Sequence, residues 1–384
     1  MSLWYIPLKR TLCVSISSLS IQTDMPKNII ICCDGTNNEI AGNQTNVLRL
    51  FRMLVRDKSQ VAFYDAGVGT NADPAAQWPL RRAISKKLDG GIGLSIRENV
   101  LDAYRFLVDY YEEGDCIYLF GFSRGAYSVR ALAAMIKRCG LLERGHSHLA
   151  EYAWSKFSDE DHLGDIGTTF AAVGRIKKIF SRDVEIHFVG VWDTVSSFGW
   201  IWDLLTIPDT RKNDIVHHIR HAVSIDERRS CFQQNTFEPV EGQDCLEVWF
   251  SGVHADIGGG YPDKEAGLAR IALSWIVREA ESKGLRIDEL QKNEMLSRLG
   301  SKTDPDELAV AHDESKKLGW RLLSLLPRRG YSIAKDRRAW SFFNCARRRK
   351  IPEDAFIHKT VETRMQEASL KYQPQLPKNY TIVE

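Results

Sequence analysis

Asp115–Phe120 (DCIYLF), Gly121-Phe122-Ser123-Arg124-Gly125 (GFSRG) and Ala126–Cys139 (AYSVRALAAMIKRC) follow one another without a break. An apolar run of strand length passes through a five-residue turn into a segment with helical spacing. A serine between glycines at such a turn sits in a sharp strand-to-helix elbow. Glycine at 121 and 125 removes the Cβ atoms that would collide with neighbouring chain. The hydroxyl is thereby aimed out of the sheet toward the helix N-terminus, where the N–H of Arg124 and the helix dipole can stabilise an oxyanion. The competing interpretation is an ordinary αβ turn in which Ser123 caps the helix.

Outward from this turn the same alternation recurs. Asn28–Cys33 (NIIICC) is a continuous apolar run that ends in Asp34-Gly35-Thr36, the pattern of a buried parallel strand feeding a tight loop. Helical spacing is predicted over Thr45–Val55, with Val47, Leu50, Phe51 and Leu54 on one face, and over Leu94–Tyr111 and Leu268–Ser282. Strands are predicted at Gln60–Tyr64, Val184–Val191, Ile219–Ile225 and Leu246–Gly252. Strands alternating with helices imply an α/β fold of α/β-hydrolase type: a mostly parallel central sheet with helices on both faces and helical insertions.

In a parallel sheet every strand ends on the same edge, so residues distant in sequence can converge there. Asp193 and His254 each follow a predicted strand, and the order Ser123, Asp193, His254 is that of an α/β-hydrolase triad. The histidine would take the serine proton and later protonate the leaving group, while the aspartate fixes its tautomer. Asp193 can alternatively be a turn residue, with Asp226 the rival acid, and His358 is the rival base. His217, His218 and His221 form a local cluster on a predicted helix or loop and are read as surface or packing residues, since no carboxylate accompanies them at metal spacing. Gly35 and Thr36 are candidates for a second oxyanion donor; a plain β-turn is the alternative. The Gly67-Val68-Gly69-Thr70 and Gly90-Gly91-Ile92-Gly93 runs lack the Lys-Ser/Thr pair of a phosphate-binding loop. No cofactor or metal is expected.

The chain of 384 residues has 43% apolar and 27% charged residues, enough to bury a large core. No stretch reaches the roughly 18 to 20 apolar residues of a membrane span. Eight cysteines lie scattered without a C-x-x-C pair, which fits a reduced, cytoplasmic origin; export without a signal sequence remains compatible with this. Residues 1–24 make a poor signal peptide and are expected to be a dispensable extension. Residues 25–384 are expected to form one domain with cap-like insertions near 141–181 and 300–350. The net charge of +2 conceals an uneven distribution: residues 316–350 hold twelve Lys/Arg against one acid, a net of +11. With Trp320–Leu326 (WRLLSLL) inside it, this segment is a candidate for peripheral contact with an anionic membrane surface, or else a core helix with solvated flanks. No nucleic-acid motif accompanies it.

The motifs together resemble an α/β-hydrolase family known as domain of unknown function 2235, related to the catalytic part of type VI secretion phospholipase effectors. The resemblance rests on Asp34-Gly35-Thr36-Asn37-Asn38, Gly67-Val68-Gly69, Gly121–Ala126 with Val129-Arg130, Val191–Val195 (VWDTV), and Gly252–Tyr261 (GVHADIGGGY), with Trp275 and Ile357-His358 as further points. It covers roughly Lys27 to Pro377. It implies a triad of Ser123, Asp193 and His254 and an ester or lipid substrate. Hydrolysis of a thioester or amide, and a catalytically silent binding module on the same fold, are the alternatives.

Overall fold

The computed structural model describes residues 25–35, 43–67, 90–158, 166–195, 198–200, 203–205, 207–229, 232–296, 306–316, 328–332, 337–341 and 348–384. The expected extension at 1–24 and the Trp320–Leu326 patch lie outside the described residues.

Eight strands form the central sheet: β1 Asn28–Cys33, β2 Gln60–Asp65, β3 Cys116–Phe122, β4 Ile186–Trp192, β5 Val216–Ser224, β6 Asp244–Phe250, β7 Ala355–His358 and β8 Tyr380–Val383. Their order is β8-β7-β6-β5-β4-β3-β1-β2, and every pairing is parallel. The chain builds β1 and β2 in one direction and then returns to lay β3 on the other side of β1. The strand order therefore reverses between β1 and β3, the kind of crevice in which open α/β sheets bind ligands.

Helices cover both faces. They are α1 Asn46–Met53, α2 Gly90–Tyr110, α3 Arg124–Cys139, α4 Ala150–Ser158, α5 Ile166–Phe180, α6 His254–Gly258, α7 Gly267–Ser282, α8 Glu289–Leu296 and α9 Lys359–Gln366. The apolar run of β1 is explained by this arrangement. Ile29 and Ile31 point into a core shared with Val100 and Leu107 of α2 and Leu132 of α3, whereas Ile30 and Cys32 point into a core shared with Val47 and Leu50 of α1 and Ile276 of α7. A strand buried on both sides has no polar alternation to display. Helix α1 starts where Thr45 accepts a hydrogen bond from the Leu48 N–H through its side chain, at 3.2 Å. Helices α4 and α5 add Trp154, Phe157, Val173 and Ile176 to the core on the α2–α3 side.

Several sequence expectations are corrected. His217, His218 and His221 lie on strand β5, not on a helix or loop. Strands β7 and β8, not among the strands predicted from sequence, follow β6 and extend the sheet. Four short strands, Phe198–Trp200, Asp203–Leu205, Arg328–Ser332 and Arg337–Ser341, form a second small sheet. The basic 316–350 segment thus has extended pieces within it. Among the described residues no helix is long and apolar enough to cross a membrane.

Candidate active site

Ser123 sits between the end of β3 and the start of α3, with φ 58° and ψ −118°. A β-carbon-bearing residue pays a steric penalty there and persists only when its surroundings hold it. Those surroundings are visible. The Ser123 N–H donates to the Trp192 carbonyl at 3.1 Å, tying the turn to the end of β4. A Cβ on Gly121 would stand 2.6 Å from the Gly125 oxygen, and one on Gly125 only 2.1 Å from the Cys33 oxygen. Both glycines are therefore required by backbone packed against backbone. The Ser123 side chain makes no capping hydrogen bond to α3, which removes the alternative of a simple N-cap.

The hydroxyl instead faces His254. Ser123 Oγ lies 2.8 Å from His254 Nε2, and His254 Nδ1 lies 2.6 Å from Asp193 Oδ2. With Asp193 ionised, Nδ1 carries the proton and Nε2 is left to accept from the serine. All three groups are buried. His254 opens α6 just after β6, and its backbone N–H donates to Glu227 Oε2 at 3.2 Å. Its ring lies between Phe122 and Phe232, with centroids at 4.6 and 4.7 Å. Phe122 can approach because residue 258 is glycine: a Cβ there would meet the Phe122 ring at 1.9 Å. Burial pushes the imidazole below its usual range, and the hydrogen bond and charge of Asp193 partly offset this.

Asp193 follows β4 in a left-handed conformation, φ 38°. Its Oδ1 accepts from the Ser224 N–H at 2.9 Å and from Arg349 Nη1 at 2.5 Å, and its Oδ2 also meets Arg349 Nη2 at 3.1 Å. Burial opposes its charge, but the Arg349 guanidinium and then His254 outweigh burial and hold the carboxyl well below the usual range. The next residue is fixed too. The Thr194 N–H donates to His221 Nε2 at 3.1 Å, and His221 Nδ1 meets Glu247 Oε2 at 2.6 Å. His221 is thus a buried support for the Asp193 turn, while His217 stays exposed and pairs with Glu185.

The rival residues lie elsewhere in the network. Asp226 accepts from the Gly252 N–H at 2.8 Å and the Tyr372 hydroxyl at 2.9 Å. His358 bonds Thr360 Oγ1 at 2.8 Å and stacks on Phe250, and burial pushes it down to about 3. Among the described residues the hydrogen bonds of His254 and Ser123 go to neither of them. Of the oxyanion candidates, Arg124 is the first residue of α3. The Gly35 N–H donates to Asp34 Oδ1 at 2.7 Å, and Thr36 lies outside the described residues. Asp34 Oδ2 in turn accepts from Thr45 Oγ1 at 2.5 Å and from the Tyr64 hydroxyl at 2.8 Å. Gly67, with φ 79°, closes against this turn: a Cβ on it would meet the Gly35 oxygen at 2.2 Å. Among the described residues no group of three His, Cys, Asp or Glu side chains is arranged to hold a metal ion.

Sequence reasoning missed Arg349 and Glu227. Arg349 stood within the basic 316–350 segment, read as a candidate for membrane contact or else a core helix with solvated flanks, and it is buried on Asp193. Nothing in its spacing marks it among the four consecutive basic residues at 347–350. Glu227 had a weak signal, since it adjoins the rival acid Asp226 at the end of β5.

Residues 27–279 match the family model for the catalytic domain of Tle1-like phospholipase effectors of the type VI secretion system. An uncharacterised protein of Saccharomyces cerevisiae is 39% identical over 226 residues, 56% of this chain and 33% of that protein, so the chain spans about a third of the relative's length. An uncharacterised Pseudomonas aeruginosa protein of known structure aligns with a TM-score of 0.41 and 18% identity, covering 69% of this chain and 47% of the other. A Tle1 effector bound to the VgrG spike of the type VI secretion system aligns with a TM-score of 0.34 and 19% identity, covering 62% of this chain and 51% of the other.

Proposed function

Because the chain belongs to the family of Tle1-like phospholipase effector catalytic domains, we propose that it is a serine hydrolase that cleaves carboxylic esters of lipids through an acyl-enzyme. The observation that carries this reading is the unbroken chain from Ser123 Oγ to His254 to Asp193, at 2.8 and 2.6 Å, mounted on a strained elbow. Ser123 Oγ attacks the ester carbonyl while His254 Nε2 takes its proton, giving a tetrahedral oxyanion and an imidazolium held by Asp193. Collapse expels the alcohol, which leaves with the proton from Nε2, and the acyl group stays on Ser123. Water then attacks the acyl-enzyme as His254 takes its proton. The carboxylic acid departs and the proton returns to Oγ.

The backbone N–H of Arg124 is the first oxyanion donor in this proposal, with the Gly35–Thr36 turn as the second. Gly35 would have to release Asp34 Oδ1 to serve. The proposal extends to contact of the basic 316–350 segment, without Arg349, with an anionic lipid surface.

The test is labelling by a fluorophosphonate probe and a product survey over mixed phospholipids, short-chain esters, thioesters and amides. Wild type should label and release fatty acid, and Ser123→Ala should do neither while keeping its fold. Activity of Ser123→Ala within about tenfold of wild type would refute the nucleophile, since loss of a triad serine costs far more. An unlabelled, inactive wild type would favour a binding module, and thioester or amide turnover without ester turnover would replace the substrate class.

A further inference from the structure

The triad carboxylate is held from outside the sheet by a residue that no step of the reaction above uses. Resting on the serine-hydrolase reading, we propose that Arg349 is a positioning residue: its guanidinium fixes the orientation of Asp193 and offsets part of its charge, so that His254 rests as a neutral base.

Geometry supports the first part. A free carboxylate can rotate and offer either oxygen, but His254 needs one of them at a fixed place. Arg349 Nη1 and Nη2 engage the two oxygens separately, at 2.5 and 3.1 Å, a fork that a rotated carboxylate would lose. The fork is itself anchored: Nη1 donates to Ser224 O at 3.1 Å and Ser224 Oγ at 2.8 Å, and Nη2 to Phe232 O at 2.6 Å. Phe232 is also the residue whose ring abuts His254. One buried side chain thus joins the end of β5, the acid and the wall of the imidazole pocket.

Charge supports the second part. Among the described residues, the ionised groups that meet His254 are Asp193 at its Nδ1 and Glu227 at its backbone N–H, each paired with an arginine. Glu227 is gripped by Arg229 through Nε at 2.9 Å and Nη2 at 2.7 Å, as Asp193 is gripped by Arg349. Each of these carboxylates is matched by one guanidinium, which limits the charge stabilisation that a buried imidazolium gains at rest. Without Arg349, Asp193 would be an uncompensated anion in contact with His254 and would favour the imidazolium.

A residue with a purely structural role would lower activity equally at all pH values. The experiment is therefore the pH profile of kcat/KM for a soluble short-chain ester, with wild type, Arg349→Gln and Arg349→Lys, alongside fluorophosphonate labelling rates and circular dichroism. Arg349→Gln should move the acid limb upward by roughly one pH unit, so that the deficit is greatest below neutrality and shrinks at high pH. Arg349→Lys, which keeps the charge and loses the fork, should keep the wild-type limb with a kcat lowered by about tenfold or more. A folded Arg349→Gln whose limb coincides with wild type overturns the charge role, and an Arg349→Lys with wild-type kcat overturns the positioning role. If Arg349→Gln does not fold, the lysine variant alone decides: a lowered kcat on an unmoved limb supports the inference, and a moved limb or an unchanged kcat overturns it. A wild type that neither labels nor turns over ester defeats the serine-hydrolase reading and this inference with it. A wild type that does both while the variants match it defeats this inference alone.

Discussion

Replacing Asp193 by asparagine removes one charge and almost no volume, and two separate losses should follow. The first is kinetic. Asp193 Oδ2 accepts from His254 Nδ1 at 2.6 Å and so keeps the proton on Nδ1 and Nε2 open toward Ser123. The Arg349 fork needs acceptors, so the asparagine amide oxygen will turn to it and present its NH₂ to the histidine. The imidazole must then accept at Nδ1 and carry its proton on Nε2, the wrong tautomer for a base. In a serine triad this change costs about 10⁴ in kcat, equivalent to about 5.5 kcal/mol of barrier. The second loss is thermodynamic. Arg349 and Asp193 are both buried, and without the carboxylate the guanidinium is a buried charge with no counter-ion. Breaking such a pair from one side costs about 3–5 kcal/mol. With an unfolding entropy of about 2.1 cal/mol/K per residue, a chain of this length should lose about 4–6 °C in Tm. The assays are steady-state hydrolysis of a short-chain ester and thermal unfolding by circular dichroism, beside Ser123→Ala, which should lose activity with little change in Tm. An Asp193→Asn enzyme with kcat within about tenfold of wild type refutes the triad assignment, and an unchanged Tm refutes the claim that Arg349 depends on this carboxylate.

Other outcomes follow from the same network. Burial lowers His254 while Asp193 only partly restores it, so the acid limb of kcat/KM should have its midpoint below the ordinary imidazole value of about 6.5; a midpoint above neutrality in a pH-rate profile counts against this. Asp193 has its folded pKa below the unfolded value, so its contribution to stability is complete above an unfolded carboxyl pKa of about 3.9 and is lost as pH falls through the folded value. Urea unfolding of wild type and Asp193→Asn should converge only at strongly acidic pH, and a stability difference already gone at pH 6 would contradict the pairing. His358→Ala should keep most activity while losing about 1–3 kcal/mol, since its buried ring stacks on Phe250; an inactive His358→Ala beside an active His254→Ala would show the base misassigned. Arg348→Glu with Lys350→Glu, both exposed and flanking Arg349, should weaken salt-dependent binding to anionic vesicles by about 1 kcal/mol per basic residue removed and leave short-ester hydrolysis unchanged. Equal sedimentation of wild type and variant with anionic and neutral vesicles would remove the surface role.

Much of this site was legible before any coordinates, because its main features are local. The elbow is written in five residues, since glycines at 121 and 125 answer a steric demand made within one turn of chain. Asp193 and His254 were legible because each ends an apolar run, and parallel strands bring their ends to one edge whatever their separation in sequence. The histidines of β5 were misread for a related reason. Val216–Ser224 (VHHIRHAVS) is a central strand, and its polar side chains find partners on adjacent strands and loops, such as Asp244 for His218 and Glu247 for His221. A sequence window contains none of those partners, so the histidines were read as a cluster on a helix or loop although a strand was predicted from Ile219. Strands β7 and β8 are four residues each and gain their identity only by pairing at the far side of the sheet.

Arg349 marks the limit most clearly. It lies 156 residues from Asp193 in the chain, inside a run of basic residues whose composition suggests solvent. The sequence by itself determined where Ser123, Asp193 and His254 would stand, since strand ends and a tight turn are set by short-range sterics and hydrophobic burial. Only the tertiary structure decided which cation is removed from water to face the acid. That choice depends on which distant segment folds across the strand ends, and a guanidinium is indistinguishable from its neighbours until a buried carboxylate is beside it.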